Sequence, residues 1–115
     1  MKTCNVVGLV LVGWYLMFPP PVERSGIVYV RPNLSAPLSS WQAAKQQNGP
    51  EFSSERDCED FRSRMVKNAK DMLLDAPPGV ERMVSQVNTA KWVFVLGALK
   101  SKCVADNDAR LKGSQ

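Results

Sequence analysis

The chain contains no histidine. Without an imidazole, histidine-based nucleophilic catalysis and histidine-ligated metal centres are excluded. A phosphate-binding glycine loop, a Gly-x-Ser-x-Gly nucleophile elbow and a Cys-x-x-Cys pair are also missing, which removes the common signatures of nucleotide binding, ester hydrolysis and dithiol exchange. There is no dense block of one charge. Fifteen basic residues are scattered among eleven acidic ones for a net charge of +4. That distribution gives no reason to expect a nucleic-acid partner and leaves attraction to an anionic lipid surface open. Long apolar runs are lacking too: the longest N-terminal one extends from Val6 to Phe18. As a helix it would reach about 20 Å, short of a hydrocarbon core of roughly 30 Å.

What is present is a short chain of 115 residues, 44% hydrophobic, enough for one small domain that needs a staple. The staple is offered by Cys58 and Cys103. Lys2 followed by the apolar run reads as a signal-type segment. No small-x-small cleavage pair precedes Ile27, so cleavage and retention as a short anchor both stay open. Trp14 and Tyr15 then sit at the headgroup level or are simply bulky members of the apolar run. Cys4 precedes this run and does not stand at a lipoprotein cleavage position.

From Pro19 to Pro50 the composition turns to Pro, Ser, Asn and Gln, which predicts a tether or irregular wrap. Within it Gly26-Ile27-Val28-Tyr29-Val30 has the β-formers of one short strand in need of a partner, and Trp41 reads as a plug docking into the core. The second half carries helical signals. Ser53 or Ser54 is a helix cap, with Glu55 and Asp57 in the first turn. Cys58, Phe61, Met65, Ala69, Met72 and Leu73 then form one apolar stripe. Its opposite face carries Glu59, Asp60, Arg62, Arg64, Lys67 and Lys70, with Asp60 and Arg64 spaced to pair. Asp75-Ala76-Pro77-Pro78-Gly79 ends this helix.

A second helix is predicted from about Val80, on the spacing of Val80, Met83, Val84, Val87, Ala90 and Phe94. It runs into Trp92 to Leu99, apolar on every side. High β-propensity keeps a strand open for this run, with the helix preferred. Trp92, Phe94, Leu96 and Leu99 are the candidate partner contacts, since so apolar a surface must be buried or meet a membrane, a partner or a second copy. Two helices joined by a tight turn lie antiparallel, bringing the start of the first near the end of the second, where Cys58 and Cys103 fall. A bridge between them is worth about 4 kcal/mol of lost unfolded-state entropy.

Asp106 and Asp108 offer oxygen ligands, but the C-terminal stretch has neither the glycine nor the glutamate of a calcium loop, so a polar turn is the expectation. Glu59, Asp60 and Cys58 are accounted for by helix pairing, capping and cross-linking, so no catalytic residue, metal or cofactor is assigned.

Several segments together carry a resemblance: Trp14-Tyr15-Leu16-Met17 followed by Pro19-Pro20, then Trp41, Phe52 and Cys58, and finally Cys103-Val104-Ala105-Asp106-Asn107-Asp108-Ala109-Arg110-Leu111-Lys112. They resemble a group of small uncharacterised bacterial envelope proteins whose leader ends Trp-Tyr-Leu-Met-x-Pro-Pro and whose C-terminus reads Cys-x-Ala-Ser-Asp-Asp-Pro-Arg-Leu-Lys. Ala109 stands where that group has proline, and the second-helix region here is longer and more apolar. The resemblance implies export and a cysteine pair, and no known activity.

The sequence therefore predicts a mainly α fold. An N-terminal apolar signal or anchor helix (1–20) and an irregular linker (21–50) precede a small antiparallel helical hairpin closed by one disulfide (51–115). The expected role is a non-enzymatic accessory or binding module, exported to the periplasmic side of the inner membrane or secreted. Its expected partners are the membrane through the N-terminal segment, and a protein or a second copy. The alternatives are a small thiol-redox or metal-responsive envelope protein using Cys58 with the acidic tail, and a membrane-embedded subunit.

Overall fold

The computed structural model describes residues 12–43 and 49–112. It corrects the predicted mainly helical fold. Among the described residues, five strands in two antiparallel sheets accompany two α-helices. Strand β1 (Trp14–Phe18) is the centre of a three-stranded sheet, between β4 (Gln42–Ala43) and β5 (Lys102–Ala105). Strands β2 (Pro21–Arg24) and β3 (Ile27–Pro32) form a hairpin. The helices are α1 (Glu55–Leu73) and α2 (Ala90–Leu99).

Strand β1 takes the end of the segment predicted to be an apolar signal or anchor helix. Leu16 is fully buried and Met17 nearly so, although they point to opposite faces. A strand covered on both sides reads as an unbroken apolar run rather than an alternation, and such a run looks the same as a signal segment. The part of that run before residue 12 lies outside the described residues. No helix among the described residues is long and apolar enough to cross a membrane.

The predicted irregular linker also contains order. Ser25 and Gly26 both take positive φ, 54° and 80°, as a two-residue hairpin turn requires. They bring Ile27 opposite Arg24. The strand read from Gly26 to Val30 thus finds its partner in β2. On its other side β3 meets Met83–Ser85: Val30 N donates to the Met83 carbonyl at 2.8 Å, and Ser85 N donates to the Val28 carbonyl at 2.7 Å. That pairing explains why the second helix starts at Ala90 instead of Val80. Around Met83–Ser85 the backbone bonds to β3, and on either side it closes two short 3₁₀ turns, 80–82 and 87–89. The apparent helical stripe therefore breaks up, with Val80 buried and Val87 left 99% exposed.

Helix α1 begins where its cap residues place it. Ser54 Oγ accepts from Asp57 N at 3.1 Å, and Glu55 and Asp57 occupy the first turn. On its polar face Arg62 lies 3.7 Å from Glu59, in place of the expected Asp60–Arg64 pair. Arg62 also donates through Nε to the Ser101 carbonyl at 2.7 Å, tying α1 to the chain just after α2.

Two apolar clusters result. Phe18 and Val30 from the strands pack with Ala69 of α1 and with Trp92, Val95 and Ala98 of α2. On the opposite sheet face Tyr15, Met17 and Val104 are covered by Trp41, Leu38 and Leu111. The disulfide joins Cys58 in the first turn of α1 to Cys103 in β5, with Cα atoms 6.1 Å apart. It links a helix to a strand, where an antiparallel helical hairpin would have joined two helix ends.

Candidate binding groove

At the end of β1 the chain leaves Phe18 and enters three consecutive prolines, Pro19–Pro21, which lack amide hydrogens and hold φ near −65°. Their extended course makes one wall of a groove of about 370 Å³. Gln42 and Ala43 of β4 line it as well, and α2 supplies Ala90, Val93, Phe94 and Gly97. Those four positions follow a spacing of three, four and seven, so they form one helical stripe. The other side of α2 carries Trp92, Val95 and Ala98 into the core.

Phe94 stacks on Phe18 with ring centroids 5.4 Å apart and an interplanar angle of 27°, yet 54% of it stays exposed. None of the described lining residues is charged. The Gln42 side-chain amide is the polar group among them. Gly97 forms part of the floor, and a Cβ built there would meet Phe18 Cδ2 at 3.6 Å and no other atom within 4 Å. Ordinary contact distance means that packing does not call for glycine at this position.

Of the four predicted contact residues, the structure turns Trp92 into the core at 6% exposure, leaves Leu96 and Leu99 half-buried against the same cluster, and exposes Phe94 alone. Lys91 Nζ lies 4.9 Å from the Trp92 ring centroid and shields the indole from solvent. Sequence reading missed Phe18, Pro19–Pro21, Gln42 and Gly97, because the first were assigned to a leader and a linker. The signal that could have found them is a lone glycine inside the apolar run Trp92–Leu99, together with a run of three prolines.

The remaining candidates are engaged elsewhere. Cys58 is fully buried and bonded to Cys103, so neither sulfur is a thiol. Asp106 N donates to the Gly13 carbonyl at 2.8 Å, extending the β1–β5 ladder by one step. Asp108 accepts from Arg110 three times, from N at 2.9 Å, Nε at 3.0 Å and Nη2 at 2.6 Å. These bonds hold its carboxyl down at about 2 from an ordinary 3.8, the side-chain bond being the largest cause. A second notch, lined by Gly13, Pro50, Glu51, Phe52 and Asp106, lies at the opposite end of β1. There Glu51 Oε1 accepts from Leu16 N at 3.2 Å, filling the gap in the ladder between Phe52 and Ala43. No group of three or more Cys, Asp or Glu side chains among the described residues is placed to hold a metal ion. No protein-family model, curated protein or solved structure matches this chain.

Proposed function

We propose that this chain is an exported, non-enzymatic accessory module of the bacterial envelope, held near the membrane by its N-terminal segment and acting through the groove beside Phe94. The observation that supports it most is the pairing of a buried disulfide with an uncharged groove whose aromatic rim is left half in water. Disulfides persist in oxidising compartments. What sets Phe94 apart from other exposed apolar residues such as Val87 is that it adjoins an apolar groove, the anatomy of a contact surface. Glu51, Ser54, Arg62, Thr89, Ser101 and Asp108 are engaged in caps, turns and backbone bonds, and among the described residues no nucleophile has a positioned base.

The test is export and oxidation of the full chain made in a bacterium. Protease added outside spheroplasts should digest it, and Cys58 and Cys103 should resist alkylation until a reductant is added. Recovery in the cytosol with both cysteines alkylated would overturn the reading.

A further inference from the structure

Building on the groove reading above, we propose that its occupant is an extended, uncharged peptide segment of a partner protein, paired with the open edge of β4 and laid across Gly97. Three observations converge on this class of ligand. The first is charge. Every described lining residue is neutral, and a charged group pressed against those walls would lose water without a paired partner, which favours an uncharged segment over anionic headgroups and acidic or basic peptides.

The second is the sheet edge. Strand order β4-β1-β5 puts β4 at the border, with one side paired to Met17 and Phe18 and its other side paired to no described residue. A border strand that also lines an apolar groove is the arrangement in which an added strand gains affinity from backbone bonds and selectivity from a side-chain pocket.

The third is Gly97. Glycine within a helix costs about 1 kcal/mol relative to alanine, and here neither a positive φ nor a close neighbour asks for it. The contrast is Gly13, whose Cβ would overlap the Pro50 ring and whose glycine the fold requires. Gly97 is itself buried at the groove floor, and its missing side chain leaves space there for a side chain of another segment to reach down beside Phe18.

The probe is a displayed library of random nine-residue peptides, selected on the full oxidised chain. Selected sequences should be uncharged over their central residues. Their affinity should fall by about tenfold or more, roughly 1.4 kcal/mol, in Gly97→Leu and in Phe94→Ser. It should be unchanged in Val87→Ser, a change at an exposed apolar residue outside the groove. Amide exchange at Gln42 and Ala43 should slow when peptide binds. Gly97→Ala, whose methyl fits, serves as the smaller step should the leucine variant fail to fold.

Selection of charged peptides, indifference to both groove variants, or no selected peptide at all overturns the assignment. If instead the chain dimerises and Phe94→Ser dissolves the dimer, the occupant is a second copy. The peptide proposal then fails while the groove stands as the module's contact surface. A chain that fails the export test fails the broader reading whatever the library returns.

Discussion

On one face of β1, Phe18 packs into the helical cluster and Leu16 is buried opposite the disulfide-bonded Cys103; on the other, Tyr15 and Met17 lie under Trp41 and two short turns, 38–40 and 109–112. The first cover is made of regular structure with its own internal hydrogen bonds, and it is covalently fastened. The second is irregular. It depends on one large side chain, Trp41, which is 7% exposed, donates through Nε1 to the Ala36 carbonyl at 3.1 Å, and carries Lys102 Nζ 5.3 Å from its ring centroid. One strand thus serves two half-cores that are built differently. The difference teaches where a small chain concentrates its stability: helices and a cross-link where apolar area is large, and a single aromatic lid where it is small.

The strongest way to break this arrangement is to remove the bridge. Cys58→Ala combined with Cys103→Ala frees a separation of 45 residues and should cost about 4 kcal/mol, read as a fall in the denaturant midpoint against the oxidised chain. Trp41→Ala attacks the other face and should cost about 3 kcal/mol. A cost above that of the cysteine pair would reverse the ranking of the two faces. Gly13→Ala strikes just before the strand they share, where the new methyl displaces Pro50. An overpacked site of this kind should lose about 2 kcal/mol, measured in the same titration.

How far these features were legible follows from the same contrast. Helix α1 and its Ser54 cap were readable because a one-sided helix writes its burial into a three-and-four spacing. The cysteine pair was readable for its separation, although its geometry was not: Cys103 lies in β5 opposite Leu16, and nothing in Lys-Cys-Val-Ala announces a strand. Strand β1 was illegible because burial on both faces erases the alternation that marks strands. Met83–Ser85 was misread because valines spaced for a helix were committed to β3 by long-range pairing. Trp41 stood out as a plug on size alone. The groove was hidden, since its walls come from segments distant in sequence and only Phe94 had been singled out among them.

Gly97→Ala sharpens the comparison from the side of the helices. With its new Cβ at contact distance from Phe18, the variant should gain about 1 kcal/mol from helix propensity, seen as a higher midpoint with an unchanged slope. A loss instead would mean that α2 and β1 already touch too closely at this point, and the bare floor would then be a requirement of packing rather than room for a ligand.

The smallest expected effect tests how the irregular face is fastened. Arg110 holds the Asp108 carboxyl at about 2, below its ordinary 3.8. Between those values the unfolded chain binds a proton that the folded chain does not, so this contribution to stability is present above about pH 4 and is lost as pH falls through about 2. The partner of Asp108, Arg110, is largely exposed, so solvent screens the pair and keeps the effect small. It is best seen locally: Leu111 N donates to the Asp108 carbonyl at 3.1 Å, and its amide exchange should accelerate on acidification from pH 5 to pH 2 relative to amides of α1. Asp108→Asn should speed that exchange at pH 5 and flatten its acid dependence. Equal acceleration in the variant would show that the turn is fastened by Leu111 packing on Trp41 and not by the ion pair, which would make the tryptophan the sole lock on that face of β1.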